Sequence, residues 1–290
     1  MICELCPRCC GALRSNEKGA GVCRMPAGLV VAKAMLHRWE EPCLSGTNGA
    51  GCIFFSGCNL GCVFCQNGKI SHENFGKVIT PERLRDIMDE LIAQGAHCID
   101  LVSPTHFTPW ILPALEEPLS VPVVWNCGGY ERVETLKTLE GKVQIYLPDL
   151  KYALETPARE LSRAGDYFPV AAAAIDEMVR QVGPYKIGDD GLLKSGVIIR
   201  HLVLPGQLEN TRRVIDYVSA HFAPGTVLFS LMSQYTPQSG ATGALARRLN
   251  HAEYRAAVAY LQACGITDGF CQELSSAKEE YTPIFDLSGV

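Results

Sequence analysis

Three cysteines on one short stretch carry the most chemistry in this sequence. They lie in Gly57-Cys58-Asn59-Leu60-Gly61-Cys62-Val63-Phe64-Cys65-Gln66-Asn67. Thiolates spaced Cys-x3-Cys-x2-Cys on one loop can wrap three corners of a cubane. A 4Fe–4S cluster normally takes four protein thiolates, so three leave one iron open to an exogenous ligand. Gly57 and Gly61 let the backbone fold around such a cluster, amide groups can donate to its sulfurs, and Phe64 would shield one side from water. The competing chemistry is zinc, which wants a fourth ligand; His72 is the only nearby candidate.

A second group sits at the N-terminus. Cys3, Cys6 and Cys10, followed by Cys23, have four-ligand spacing, with Cys9 a rival to Cys10. Four thiolates could close a tetrahedral zinc site or hold an auxiliary iron–sulfur cluster. Cys6-Pro7-Arg8 and the neighbouring glycines suggest a loop-built knuckle that folds only with metal. Spacing does not choose between the two metals.

Eight of the fourteen cysteines fall in these two groups. The chain otherwise has the core composition of an enzyme from a reducing compartment, where clustered cysteines bind metal or do redox chemistry more often than they form bridges. Cys43, Cys52, Cys98, Cys127, Cys264 and Cys271 are scattered and read as small buried hydrophobes. A formal net charge of −5 gives no overall basic field for nucleic acid. No apolar run is long enough to span a membrane, and the N-terminus lacks the basic and apolar regions of a secretory signal. A cytoplasmic protein is expected.

The elements that must position these residues alternate. Residues 1–48 are rich in Cys and Gly, with one possible strand at 29–35, and read as a cysteine-rich metal-binding segment. Residues 49–290 read as one barrel domain. Apolar strand-like runs appear at 52–55, 98–102, 121–125, 143–147, 197–204 and 227–231. Helical patterns fall at 107–117, 130–139, 153–164, 170–182, 208–221 and 250–264. A further helix follows Thr80, its N-cap, with Pro81 at the first helical position. Continuous apolar strands alternating with helices predict a parallel sheet. The fold class expected is α/β, a partial (β/α)6 TIM-type barrel with an irregular N-terminal segment. Residues 183–194 read as a surface loop. The polar residues follow the strands and would converge on the C-terminal mouth.

The cysteine loop, with an aromatic just before its last Cys, resembles the signature of the radical S-adenosylmethionine (SAM) superfamily. That resemblance implies that the methionyl amine and carboxylate of SAM occupy the open iron. An electron from the reduced cluster then cleaves SAM to methionine and a 5′-deoxyadenosyl radical, which abstracts hydrogen. An electron donor of flavodoxin or ferredoxin type is implied as well.

Further stretches resemble the pyruvate formate-lyase activating enzyme branch, in particular relatives with an N-terminal cysteine segment. Tyr146-Leu147-Pro148-Asp149-Leu150-Lys151 resembles its Asp-Leu-Lys motif, which implies that Asp149 and Lys151 hold the methionyl end of the cofactor. Trp125-Asn126-Cys127-Gly128-Gly129-Tyr130 resembles a strand-end Asp-Thr-Asn-Gly stretch, with Asn126 where the branch has Asp. Arg200–Gly206 resembles an apolar strand ending in Pro-Gly, and only one of Arg200 and His201 can face the interior. Gln234 or Tyr235 stands where the branch places a cofactor-contacting His. Where activating enzymes carry Gly-Gly-Glu, this chain reads Ser103-Pro104-Thr105-His106. Ser103 or Thr105 would then accept from the cofactor's amino group, and His106 would face substrate or serve the structure.

The function expected is SAM cleavage followed by hydrogen abstraction from a small-molecule or peptide substrate. The alternatives are an activase that installs a glycyl radical on a partner enzyme, and a non-catalytic iron–sulfur electron carrier.

Overall fold

The computed structural model describes residues 2–15, 19–276 and 282–290. Ten strands form one sheet: β1 Leu29–His37, β2 Ala50–Phe55, β3 Lys77–Ile79, β4 Ile99–Val102, β5 Val123–Cys127, β6 Ile145–Pro148, β7 Lys186–Ile187, β8 Leu193–Leu202, β9 Leu228–Met232 and β10 Gly269–Cys271. Their order is β10-β9-β8-β6-β5-β4-β2-β1-β3, with β7 paired to β8. From β2 to β10 every neighbouring pair on this path is parallel. β1 and β3 add an antiparallel edge. The sheet is an open α/β barrel, since β3 and β10 are its two ends.

Register explains how the interior is built. Successive side chains of a strand point to opposite faces. One ladder, Cys52–Asp100–Val124–Ile145, and the next, Phe54–Val102–Asn126–Leu147, face inward. Apolar members of these ladders belong to one buried cluster with Ala32, Ile198 and Leu228. The alternate residues, among them Ile53, Phe55, Leu101, Trp125, Tyr146 and Ile199, pack outward against the helices in a second core. Strands buried on both faces read as unbroken apolar runs, which is why the sequence shows them plainly.

The helices over Pro81–Ala93, Glu155–Ser162, Tyr167–Val182, Leu208–His221 and His251–Ala263 return the chain between strands. Thr80 caps the first, accepting from the Arg83 amide at 3.2 Å. Two expectations change in detail. The helical run at 107–117 is a series of short turns from Thr105 to Leu115, broken by Pro109 and Pro113, whose rings cannot continue a helix. Residues 183–194 hold the β7 hairpin against the start of β8, so the stretch is paired backbone and not only surface loop. The strand anticipated at 29–35 is present as β1, and it joins part of the 1–48 stretch to the barrel sheet. The C-terminal stretch lies on the same strand: Lys33 Nζ meets Asp286 Oδ1 at 2.9 Å, and Phe285 packs edge-on to Phe54.

Candidate active site

The loop after β2 takes a shape that only glycine accepts cheaply at two points, Gly57 (φ 78°) and Gly61 (φ 62°). It brings Cys58, Cys62 and Cys65 to the C-terminal mouth of the barrel, where all three line a cavity of about 780 Å³. Their sulfurs sit among donors. The Leu60 amide donates to Cys58 Sγ at 3.3 Å, the Ser71 hydroxyl to Cys65 Sγ at 3.3 Å, and the Ser162 hydroxyl to Cys62 Sγ at 2.9 Å. Burial pushes the Cys62 thiol up to about 12, with the Lys151 charge pulling against it. Thiols held neutral by burial ionise when a metal supplies the missing positive charge.

Among the described residues, one set of three Cys, His, Asp or Glu side chains has its ligand atoms all within 4.8 Å of one another, and that set is Glu40, Cys52 and Asp100. The three loop sulfurs are therefore more widely spread, and His72 does not close a compact set with them. Three thiols gathered on one loop but too spread for a single zinc ion fit a cluster, whose thiolates each bind a different iron. Phe64 is buried and lines the cavity as expected, while Val63, beside it, is exposed.

Opposite the cysteines stand the ends of β5, β6 and β8. Lys151 Nζ meets Asp149 Oδ2 at 2.5 Å, and the two side chains are only 19% and 15% exposed, so this is no solvated surface pair. Arg200 faces inward, donating from Nε to Asp149 Oδ1 at 3.0 Å and from Nη2 to Asn126 Oδ1 at 2.6 Å. Although burial works against ionisation, the Arg200 and Lys151 charges hold the Asp149 carboxyl below its ordinary value. His201 points the other way, its ring between the Leu150 carbonyl at 2.7 Å and Thr211 Oγ1 at 3.0 Å. Gly129 (φ 74°) makes the turn that lets these strand ends meet, since a Cβ there would lie 2.1 Å from the Asp149 carbonyl oxygen.

Ser103, Asn126, Gln234 and Tyr235 also line the cavity. Ser103 holds a left-handed conformation (φ 59°), with its amide on the Asn126 carbonyl at 2.8 Å. Gln234 Oε1 accepts from Gln272 Nε2 at 3.3 Å. Tyr235 spends its hydroxyl on the Leu245 carbonyl, and Thr105, also on the cavity lining, donates its hydroxyl to Glu131 Oε1 at 2.6 Å. His106 is buried; its Nε2 lies 2.7 Å from the Ser56 carbonyl at the root of the cysteine loop, and burial lowers its pKa to about 4. It braces that loop as a neutral ring.

The floor of the cavity was not legible in the sequence. Glu40 and Glu41 reach it from the connection between β1 and β2. Glu40 Oε2 pairs with Arg200 Nη1 at 3.4 Å. Asp100 accepts from Cys52 Sγ at 3.3 Å and from Asn126 Nδ2 at 3.2 Å, leaving Oδ1 without a partner. Burial raises both Glu41 and Asp100 to about 7. The only sequence signal was the inward parity of Asp100 in β4. Nothing local marks a loop glutamate as lining a barrel.

The fold and the site define an open parallel barrel with a three-thiol loop at its mouth, and comparisons with known proteins agree. A sequence model of the radical SAM superfamily matches residues 52–218. An uncharacterized protein of Methanocaldococcus jannaschii is 31% identical over 247 residues, which is 81% of this chain and 66% of that one. Among solved structures, a radical SAM methyltransferase from Sphaerobacter thermophilus superposes with a TM-score of 0.51 at 15% identity, covering 77% of this chain and 66% of that one. Streptococcus suis SuiB bound to S-adenosylmethionine gives 0.53 at 12% identity, covering 77% of this chain and 50% of that one. SuiB bound to its precursor peptide SuiA gives 0.52 at 14%, covering 76% and 48%. The chain belongs to the radical SAM superfamily, whose members are enzymes that use a 4Fe–4S cluster and SAM. No helix among the described residues is long and apolar enough to cross a membrane.

Proposed function

We propose that this chain cleaves SAM reductively at a cluster ligated by Cys58, Cys62 and Cys65, and directs the resulting radical at a small-molecule or peptide substrate inside the barrel. The single observation that carries this reading is the cavity, about 780 Å³, lined at its mouth by the three cysteines and at its floor by Glu40 and Glu41. Its size falls within the range of small-ligand pockets, so cofactor and a modest substrate group can share it.

When bound and reduced, the cluster supplies the one electron that cleaves SAM to methionine and a 5′-deoxyadenosyl radical. The chain's own residues orient and shelter. Lys151 pairs with the methionyl carboxylate and Asp149 accepts from its ammonium, each already held by Arg200 or by the other. Asn126, Ser103 and Gln234 stand on the cavity wall as polar contacts for the rest of the cofactor. Phe64 and Leu202 line the same wall and exclude water. The electron comes from a flavodoxin- or ferredoxin-type donor, in the cytoplasm.

An activase acting on a glycine of a partner enzyme is the second reading, supported by the Asp149-Leu150-Lys151 motif. The buried charged floor favours the first reading, because a glycine residue carries no charged group to pair with Glu40 and Glu41. SuiB, of similar fold, has been captured with a peptide, which is the kind of occupant the cavity is proposed to take. The test is transfer of deuterium into 5′-deoxyadenosine from labelled candidate small molecules and peptides. Transfer from one of them supports the reading, and a stable glycyl radical appearing on a partner protein overturns it in favour of the activase.

A further inference from the structure

The five N-terminal cysteines are not a loose tail. Residues 2–13 form a hairpin, closed by the Ile2–Leu13 bridge, the Cys3 amide on the Ala12 carbonyl and the Gly11 amide on the Cys3 carbonyl. The turn at 21–24, with the Arg24 amide on the Gly21 carbonyl, folds over it. It is close enough that a Cβ on Gly21 would lie 3.1 Å from Cys10 Sγ. Cys3 and Cys6 are buried and Cys23 is half-buried.

The same local device recurs at three of these thiols. The backbone of Arg8 approaches the sulfur of Cys6, that of Ala12 and of Val22 the sulfur of Cys10, and that of Met25 the sulfur of Cys23, each favouring the thiolate. In each case one of these backbone groups lies two residues on. The radical-cluster loop has the same arrangement: the Leu60 amide donates to Cys58 Sγ at 3.3 Å, and the Asn67 backbone approaches Cys65. Amides aimed at sulfur stabilise thiolates, and hydrogen bonds to the sulfurs are a standard feature of iron–sulfur sites. The four sulfurs are close enough to feel one another's charge: Cys6 responds to Cys3 and Cys23, and Cys23 to Cys3 and Cys10.

The spacing favours a cluster over a single ion. Four thiolates on one zinc ion, at about 2.3 Å each, lie about 3.8 Å apart. No three of these sulfurs all lie within 4.8 Å of one another, since Glu40, Cys52 and Asp100 form the one such set among the described residues. The N-terminal set shares this with the cysteines of the radical-cluster loop, which also form no three-sulfur set within 4.8 Å.

The segment is docked on that loop. Arg8, between Cys6 and Cys10, donates to the Asn59 carbonyl at 2.8 Å and the Ser162 carbonyl at 2.8 Å, and its Nη1 reaches the Arg163 carbonyl at 2.5 Å. A Cβ on Gly57 would lie 3.0 Å from the Cys23 carbonyl oxygen. We propose that Cys3, Cys6, Cys10 and Cys23 bind a second iron–sulfur cluster, seated against the loop that carries the first. Cys9 and Cys10 are both exposed, but Cys10 Sγ lies against the turn at Gly21, whereas Cys9 Sγ rests on the Cys6 carbonyl at 3.5 Å, so Cys9 is left out of the ligand set.

The proposal stands apart from the reading of Cys58, Cys62 and Cys65, and the test separates the two. Iron, acid-labile sulfide and zinc are counted in anaerobically reconstituted full-length chain. The wild type is expected to hold roughly eight iron and eight sulfide per chain, and the Cys58→Ala/Cys62→Ala/Cys65→Ala variant roughly four of each. Cys10→Ser/Cys23→Ser should also fall to roughly four, and Cys9→Ser should stay near eight. Should the triple variant fail to fold, the wild-type count and the Cys10/Cys23 variant decide alone. Stoichiometric zinc in folded triple variant, or a wild type that saturates near four iron, overturns the second cluster.

Discussion

Ser162, at the end of a helix, donates its hydroxyl to the sulfur of Cys62 at 2.9 Å, linking positions a hundred residues apart in the chain. Tyr152 in turn lies 2.6 Å from the Ser162 hydroxyl, so the contact is fixed from behind. A donor to a cluster thiolate stabilises the more negative, reduced state. Ser162→Ala should retain the cluster and lower its midpoint potential. A bond worth about 1 kcal/mol corresponds to a shift on the order of 40 mV for one electron. Redox titration followed by electron paramagnetic resonance reads this, and an unchanged potential would remove Ser162 from the site's tuning.

Lys151 and Asp149 are argued to hold the methionyl end of SAM, and Lys151→Met tests this. A charge-assisted hydrogen bond contributes about 1.5–3 kcal/mol, so SAM affinity should fall by roughly 10- to 150-fold. The Arg200 pairing remains to neutralise Asp149, which keeps the fold intact. Equilibrium dialysis with labelled SAM under anaerobic conditions gives the ratio.

The floor of the cavity predicts a pH dependence of stability. Asp100 is raised to about 7 by burial, with the Glu40 charge adding; Asn126, Cys52 and Arg200 act to lower it. Glu41 is raised to about 7 by burial, against Ser230 and Arg200. A carboxyl whose folded pKa lies above its unfolded one binds more protons when folded. Its stabilisation is complete below the unfolded value, near 4, and is lost as pH rises through about 7. The unfolding free energy of the wild type from urea titrations should therefore fall between about pH 5 and pH 8, by on the order of 2–4 kcal/mol for Asp100 alone. Asp100→Asn should flatten that slope.

Gly129→Ala tests the turn that joins β5 to the Asp149 strand end. Its φ of 74° disfavours a side chain, and the Cβ would lie 2.1 Å from the Asp149 carbonyl oxygen. A loss of about 2–3 kcal/mol in stability is expected, together with weakened SAM binding. Gly141→Ala, whose φ is 77° but whose Cβ would meet nothing within 4 Å, should weaken stability by less and leave SAM binding unchanged. Thermal melts and dialysis on both variants separate local strain from damage to the site.

The sheet was readable because its parallel strands are buried on both faces and spell continuous apolar runs, as at Ile198 and Ile199 in β8. The last long helices were equally plain, since Leu208–His221 keeps an apolar stripe and His251–Ala263 opens on the Asn250–Glu253 capping box. The short edges were not: β3 and β10 have three residues each, too few for a period, and β7 has two. At the site, parity limited β8 to one inward residue of Arg200 and His201, and the structure selects Arg200. Strand ends reveal themselves by sequence position, so Asn126, Asp149 and Lys151 could be anticipated. Glu40 and Glu41 could not, because they reach the cavity by threading from a connection whose path is set by tertiary packing. Arg8 was equally silent: its partners are backbone carbonyls, which leave no trace in side-chain identity.

The central claim is that the thiols of Cys58, Cys62 and Cys65 hold the cluster at which SAM is cleaved. Its most direct test is the yield of 5′-deoxyadenosine from anaerobically reconstituted, dithionite-reduced protein supplied with SAM. Cys62→Ala serves as the test variant, and Cys98→Ala, a buried cysteine outside the cavity, as the control. The account predicts product from the wild type and from Cys98→Ala, and none from Cys62→Ala. Product that survives in Cys62→Ala, or a wild type whose loop binds only zinc and yields none, would contradict it.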